Sequence, residues 1–135
     1  MGLIFKLTDE RYASRVSPEV KPIPALVDGV RICSIANTLE LVGDKWSLLV
    51  LRELSLGVHR FNDIQRQTGA PRDRIADRLR SLEQSGLLER RQYSEHPPRF
   101  EYWLTGAGRD LGPVLDSLRV WGERHRPAVG TLPAR

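Results

Sequence analysis

Apolar residues begin to recur at helical spacing just after Cys33. Ile35, Leu39 and Val42 fall on one face of a helix and predict a first helix in this region. Gly43 follows them directly. Because glycine readily adopts the left-handed conformation that ends many helices, it predicts the end of this helix.

A second helix is predicted directly after Gly43, and apolar residues occupy most of its sides. Arg52 and Glu53 are expected on a narrow solvent-exposed face, and the helix should stop near Gly57. Its apolar positions are Trp46, Leu48, Leu49, Val50, Leu51 and Leu54. This helix should therefore be largely buried.

Two further helices are predicted on either side of a tight Gly-Ala-Pro turn. Phe61 and Ile64 in RFNDIQRQTG indicate a short helix that ends at Gly69. A longer helix follows, with Pro71 in its first turn and its end at Gly86. Its apolar stripe is Ile75, Leu79 and Leu82. The opposite side carries Asp73, Asp77, Arg80 and Gln84, with Arg74 and Ser81 at the flank and Arg78 nearer the core.

Two strands are predicted next, in LLERRQY and RFEYWLT. The second alternates Phe100, Tyr102 and Leu104 with Glu101 and Trp103, the period of two that a half-buried strand shows. Two consecutive prolines lie between the strands, in HPPR, and neither can donate a backbone hydrogen bond to a sheet. The prolines therefore predict the tip of a hairpin.

One last helix is predicted from its N-cap at Thr105 through Arg124. Its apolar positions are Leu111, Val114, Leu115, Leu118 and Trp121. We interpret Trp121, like Trp46, as a packing residue in a core or dimer interface, since large aromatic rings dominate the energetics of both.

The element order predicts an α+β, mainly helical chain: a winged helix-turn-helix with an N-terminal extension and a C-terminal dimerisation helix. Residues 1–30 contain the proline-rich segment VSPEVKPIPALVDG without a sustained period, so an irregular, partly ordered extension is expected there. Residues 31–126 should form the winged helix-turn-helix domain with its dimerisation helices. Residues 127–135 are expected to be a flexible tail.

Composition narrows the class of protein only slightly. At 135 residues the chain has the size of one domain, with no apolar run near the roughly 20 residues that cross a bilayer. A single cysteine and the lack of a signal-peptide pattern favour a cytoplasmic location. The net charge of +4 is compatible with a polyanionic partner but does not require one.

Several motifs occur in order from Cys33 to His125 and closely resemble the HxlR-type winged helix-turn-helix transcriptional regulators of bacteria. They are GDKW, RF, LRSLEQSGLLER, PPRFEYWLT and the LRVWG segment that precedes ERH. The resemblance implies a homodimer that binds a palindromic or nearly palindromic operator in double-stranded DNA. No cofactor and no metal are expected, and the effector, the operator and the direction of regulation stay open.

The longer helix of the helix-turn-helix pair is the candidate recognition helix, at about residues 71–85. The first turns of such a helix reach base edges in the major groove, and arginine there can bind guanine or phosphate. The candidate base contacts are Arg72, Asp73, Arg74, Asp77 and Arg78. The alternative is a solvated face whose arginines and aspartates form ion pairs within the helix.

The predicted hairpin, at about residues 87–104, would be the wing. Its cationic side chains could reach phosphates or the adjacent minor groove, where the negative potential is enhanced. These side chains are Arg90, Arg91, His96 and Arg99. Lys45 and Arg60 precede helices and could add contacts to the backbone, although each could equally be ordinary surface charge.

Cys33 is the one residue with potential for redox chemistry. It stands at the start of the first core helix, where the helix dipole favours a thiolate and Arg31 could assist. In oxidant- or electrophile-sensing members of the resembled family, a cysteine near this point is the sensing residue. Cys33 could instead be a small buried apolar residue, and the regulator would then respond to a small molecule.

The expected dimer interface combines the first and last core helices, because two half-sites one helical turn apart require a two-fold partner. Its candidate residues are Ile35, Leu39, Leu111, Val114, Leu115, Leu118 and Trp121. A winged-helix module that binds protein is a rival interpretation. Catalysis is not expected, because the three histidines lack ligand spacing and no nucleophile motif or phosphate loop occurs.

Overall fold

The computed structural model describes residues 26–128 of the chain. Their elements in chain order are β1 (Leu26–Val27), β2 (Val30–Arg31), α1 (Ser34–Val42), α2 (Lys45–Ser55), α3 (Phe61–Thr68), α4 (Arg72–Gln84), β3 (Leu88–Glu95), β4 (Pro98–Leu104), α5 (Gly106–Arg109) and α6 (Gly112–His125). This order confirms the predicted winged helix-turn-helix fold. Of the described residues, those up to Gly112 and those from Pro113 onward belong to two compact units, and each unit is described by itself.

Helix α1 ends before Gly43, as predicted, but the expected left-handed cap was wrong. Gly43 has φ −73° and ψ −10°, and its N–H donates to Leu39 O at 2.7 Å. A Cβ at this position would lie only 2.3 Å from that oxygen. Glycine is therefore required here by the close approach of the backbone rather than by a positive φ.

Helix α2 is the central helix of the domain and packs against α1, α3, α4 and β4. Val50 and Leu51 are fully buried, as the apolar pattern predicts. The prediction that Glu53 lies on a wet face was wrong, because only 4% of it is exposed. Its Oε2 accepts from Nε of Arg52 at 2.6 Å, which supplies the cation that a buried carboxylate needs.

Helices α3 and α4 form the helix-turn-helix pair. Gly69 ends α3 in the left-handed conformation, with φ 71°, and the turn continues through the buried Ala70. Pro71 is the N-cap of α4 rather than a residue of its first turn, because its ψ of 144° is extended. The predicted apolar stripe of α4 is confirmed: Ile75, Leu79 and Leu82 are buried against the core.

The core of this unit lies under the helix-turn-helix pair and the base of the hairpin. Its buried apolar residues are Val42, Val50, Leu51, Leu54, Ile64, Ala70, Ile75, Leu79, Leu82, Leu87 and Leu88. Because α4 and β3 both contribute to it, the core fixes the start of the hairpin relative to the recognition helix.

Strands β3 and β4 form an antiparallel hairpin, the wing, which extends from the pair Leu88–Leu104 to the pair Glu95–Pro98. The ladder is irregular between Gln92 and Ser94, and both strands run closer to the tip than the sequence predicts. Pro98 is the first residue of β4, a position where a missing N–H is tolerated. The peptide bond between His96 and Pro97 in the turn is cis.

The single last helix of the sequence analysis is two helices. Thr105 caps the short α5, with Oγ1 accepting from the Gly108 N–H at 3.2 Å, and α6 begins only at Gly112. Pro113 lacks the N–H that a continuous helix would direct to Arg109 O, so the helix restarts. Leu111 consequently lies in the turn between the helices and not on the face of α6.

Two strands that the sequence analysis did not anticipate precede α1. Leu26 pairs with Arg31 and Val27 with Val30, and positive φ angles at Asp28 and Gly29 close the turn. The predictions for residues 1–25 and 129–135 lie outside the described residues. Within residues 26–128, no helix is long and apolar enough to cross a membrane.

Candidate nucleic-acid interface

The outer face of α4 carries the arginines and aspartates that the sequence predicts for base contacts. Arg72, Asp73, Arg74 and Asp77 are exposed, and Arg78 is half-buried at the edge of the core. Asp77 pairs with Arg78 at 3.5 Å and with Arg80 at 3.6 Å, so part of the face forms the ion pairs of the alternative interpretation. Arg74 has no ion pair among the described residues.

Asp44, a residue that the sequence analysis did not single out, caps α2 and also contacts α4. It caps α2 by accepting from the Ser47 N–H at 3.0 Å and from the Ser47 hydroxyl at 2.6 Å. Arg78 Nη1, on α4, lies 3.5 Å from Oδ1 of the same Asp44 carboxylate. Burial alone would raise the pKa of Asp44, but the Ser47 hydrogen bonds and the Arg78 charge outweigh it and lower the pKa.

The wing presents the four predicted cationic residues, all of them exposed. Arg90 lies over the Phe100 ring at 4.3 Å, and Arg91 lies over the Trp103 ring at 4.7 Å. Arg91 Nε also donates to Glu89 Oε1 at 2.8 Å, which offsets part of its charge. His96 lies in the turn at the tip, and Arg99 is the second residue of β4.

The segment between α2 and α3 holds the wing in place through His59. The Tyr102 N–H donates to His59 O at 2.8 Å, and His59 Nδ1 lies 2.8 Å from Tyr102 O. Because a carbonyl can only accept, Nδ1 carries the proton. The imidazole also stacks on Trp103, with ring centroids 3.6 Å apart and planes inclined by 15°. These contacts fix β4 relative to the helix-turn-helix pair.

Lys45 and Arg60, the two predicted backbone contacts, have different surroundings. Lys45 Nζ lies 4.4 Å from the centroid of the Trp46 ring on its own helix. Arg60, the N-cap of α3, lies 4.3 Å over the Tyr93 ring of the wing. The structure brings Arg60 together with Arg72 and Arg99 in one surface cleft, whereas Lys45 does not line it.

Cys33 is the N-cap of α1 and is half-buried. Its Sγ accepts a hydrogen bond from the Ala36 N–H at 3.3 Å, in the place where serine or aspartate oxygens usually cap a helix. The sequence analysis placed Cys33 correctly at the start of this helix. The thiol is thus neither fully buried nor fully exposed.

Two helices present apolar side chains to solvent, and each is described in its own unit. On α1, Ile35 is 72% exposed and Leu39 is 55% exposed. On α6, Val114, Leu118 and Trp121 follow one another at helical spacing and are all exposed. Leu115 is half-buried, as is Leu111 in the turn before α6. Residues 26–128 contain no group of three or more histidine, cysteine or carboxylate side chains that could hold a metal ion.

Comparison with known proteins identifies the family. Residues 41–129 match the model of the HxlR-like helix-turn-helix family, and this match covers most of the chain, including the helix-turn-helix pair and the wing. The chain belongs to the HxlR-like helix-turn-helix family. It is a family of transcription regulators and not of enzymes, and the membership confirms the resemblance that the sequence motifs carry.

Similar chains occur in distant organisms. The uncharacterized HTH-type transcriptional regulator Rv3095 of Mycobacterium tuberculosis is 47% identical over 94 residues, which cover 70% of this chain and 60% of the relative. A regulator of the same description from Methanothermobacter thermautotrophicus is 41% identical over 99 residues, covering 73% of this chain and 76% of the relative. This chain thus spans less than two thirds of the length of its mycobacterial HxlR-like relatives.

Solved structures agree with the fold. The redox regulator HypR in its oxidized form superposes with a TM-score of 0.64 at 32% identity, covering 71% of this chain and all of HypR. The reduced form of the transcriptional regulator YodB from B. subtilis superposes with a TM-score of 0.59 at 27% identity, covering 72% of this chain and 98% of YodB.

Proposed function

We propose that this HxlR-like chain is a DNA-binding transcriptional regulator that acts as a homodimer. In this proposal the N-terminal turns of α4 enter the major groove and the wing contacts the backbone or the adjacent minor groove. The observation that carries the proposal is the exposed face of α4, in the second helix of a helix-turn-helix. Arg74 lies in its first turn and forms no ion pair with any other residue of the range 26–128.

DNA binding is tested by fluorescence anisotropy with a labelled duplex at increasing salt. Binding that depends on phosphate contacts should weaken steeply with salt, because each contact releases a condensed counterion. For about six contacts the affinity should fall roughly 1,000-fold between 50 and 200 mM salt. A protein-interaction module would show no binding even at 50 mM, and that result would overturn the proposal.

The dimer is supported by the exposed apolar side chains of α6 and α1. Val114, Leu118 and Trp121 are 46%, 52% and 60% exposed, and such side chains are usually covered when they form a stripe. Light scattering should give about twice the chain mass of 15.4 kDa. Leu118→Glu should shift the protein toward the monomer, whereas the solvent-facing Glu123→Gln should leave the dimer intact. A monomeric wild-type protein would contradict the dimer.

Regulation through Cys33 is the finer part of the proposal. It is supported by the partial exposure of the thiol at a helix N-cap and by the similarity to HypR, which is named a redox regulator. Diamide would take two hydrogen atoms from the Cys33 thiols of two protomers and become the hydrazine, leaving an intersubunit disulfide. The disulfide would rotate the two halves of the dimer and change the spacing of the recognition helices.

The redox proposal is tested by measuring DNA affinity before and after diamide. The wild-type protein should change its affinity and form a dimer that resists SDS without reductant, whereas Cys33→Ser should do neither. Equal responses of the two proteins would exclude Cys33 as the sensor. The alternative, a structural Cys33 in a regulator that responds to a small molecule, would then be favoured.

A further inference from the structure

A cleft of about 500 Å³ opens between the wing and the helix-turn-helix pair. One wall is the first turn of α3 together with Arg72 at the start of α4, and the other is the distal half of the wing, with Tyr93, Arg99 and Phe100. The cleft lies within one compact unit, between the wing and the helix-turn-helix pair whose second helix, α4, the proposed function places in the major groove.

The cleft is strongly cationic. Four arginines line it, at positions 60, 66, 72 and 99, against one carboxylate, Asp63. Arg66 forms an ion pair with Asp63, so these two charges offset each other. The remaining three, Arg60, Arg72 and Arg99, have no ion pair among the described residues. Three uncompensated guanidinium groups on facing walls favour an anionic occupant.

Two of these arginines are held in position by aromatic rings. The Arg60 guanidinium lies 4.3 Å over Tyr93, across the cleft from its own helix. The Arg72 guanidinium lies 4.8 Å over Phe61, and its Nη1 donates to Asn62 Oδ1 at 2.9 Å. An arginine stacked on a ring keeps the N–H donors at its edge available, and it loses less side-chain entropy when it binds an anion.

The occupant follows from the geometry of the two walls. When a recognition helix lies in the major groove and a wing lies at the adjacent minor groove, the strand that separates these grooves must pass between them. We propose that this cleft clamps one sugar-phosphate strand of the bound DNA, with phosphate oxygens accepting from Arg60, Arg72 and Arg99. The inference rests on the proposed function and specifies where the backbone is held.

The clamp also assigns a role to Tyr93, which is not itself charged. Its ring braces Arg60 and connects the wing to the N-terminus of α3. Tyr93 is therefore a positioning residue: without the ring, Arg60 could still reach a phosphate, but it would have to be ordered during binding. Loss of the Tyr93 ring should therefore lower the affinity for DNA without removing a phosphate contact.

Salt dependence measures the phosphate contacts directly. Each contact contributes about 0.9 to the slope of log affinity against log salt, so removing Arg60 from both protomers should reduce the slope by about 1.8. Over a fourfold rise in salt, Arg60→Ala should then lose about 12-fold less affinity than the wild type. Arg99→Ala should behave in the same way. Arg126→Ala, which removes the same charge after α6, should keep the wild-type slope.

The bracing role is tested with two substitutions of Tyr93. Tyr93→Leu should weaken DNA binding on the order of tenfold at every salt concentration, because one side chain per protomer must be ordered on binding. The slope of log affinity against log salt should stay that of the wild type. Tyr93→Phe keeps the ring face and should restore the affinity. Thermal unfolding of each variant, matched to the wild type, establishes that the domain is folded.

The outcomes separate the clamp from the proposed function. A wild-type protein that does not bind DNA at low salt would overturn both. A wild-type protein that binds DNA, with Arg60→Ala and Arg99→Ala indistinguishable from Arg126→Ala, would overturn the clamp alone. Equal affinities of Tyr93→Leu and Tyr93→Phe would overturn the bracing role of the ring.

Discussion

Asp44 is the residue whose replacement should show most clearly how the start of α2 is stabilised. In Asp44→Ala, α2 loses its N-cap, which costs about 1 kcal/mol. The Ser47 hydroxyl, fully buried and now without its 2.6 Å acceptor, adds about 1 kcal/mol or more. The Arg78 contact is partly exposed and adds little. The total loss of unfolding free energy should be about 2 kcal/mol.

Urea denaturation followed by circular dichroism measures this loss. With a slope of about 2 kcal/mol per molar urea, the midpoint should fall by roughly 1 M. Asp44→Asn keeps an acceptor for the cap and should lose less. Because much of the cost comes from the stranded hydroxyl, Ser47→Ala in the Asp44→Ala background should cost less than it does in the wild type. Additive losses would refute the buried hydroxyl's role.

The carboxylate of Asp44 also makes the free energy of unfolding depend on pH. Because its pKa is lowered in the folded protein from the ordinary value of 3.8, its stabilising contribution is fully present above about pH 4. This contribution is lost as the pH falls through the lower pKa that Asp44 has in the folded protein. The stability difference between the wild type and Asp44→Asn should thus be constant from pH 5 to 7 and shrink below pH 4. A difference that grows on acidification would contradict this assignment.

Two further substitutions test the core and the wing anchor. Leu79→Ala should lower the unfolding free energy by about 2–5 kcal/mol, because the side chain is 1% exposed and its removal leaves a cavity under α4. A loss below about 1 kcal/mol in urea denaturation would contradict the place of Leu79 in the core. His59→Ala should speed hydrogen exchange at the Tyr102 amide, since the wing loses the Trp103 stack and the bond to Tyr102 O. Unchanged exchange would show that the imidazole does not hold the wing.

Local sequence patterns were enough to predict the helix-turn-helix pair and the wing. The stripe of Ile75, Leu79 and Leu82 needs only the helical period, and Gly69 needs only the conformational freedom of glycine. The two prolines likewise predicted the hairpin tip, with Pro98 tolerated as the first residue of β4. Each of these features depends on residues close together in the chain.

Some of the errors arose where distant parts of the chain decide the outcome. Glu53 is buried on a helix that both α3 and α4 pack against, and the period of α2 alone cannot reveal such packing. The bracing of Arg60 by Tyr93 joins residues 33 positions apart, and the anchor of His59 on Tyr102 joins residues 43 apart. The break before α6 was predictable, because Pro113 was visible in the sequence.

The central claim, that α4 reads bases while the wing and cleft hold the backbone, is tested most directly by the specificity of Arg74→Ala. A duplex that the wild-type protein selects from the region upstream of its own gene is compared with a scrambled duplex of equal length. Loss of a base contact should cost about 1–3 kcal/mol, or roughly 5- to 150-fold, for each half-site of the selected duplex, with a much smaller loss on the scrambled one. Equal losses on both duplexes, or no loss on either, would contradict the claim.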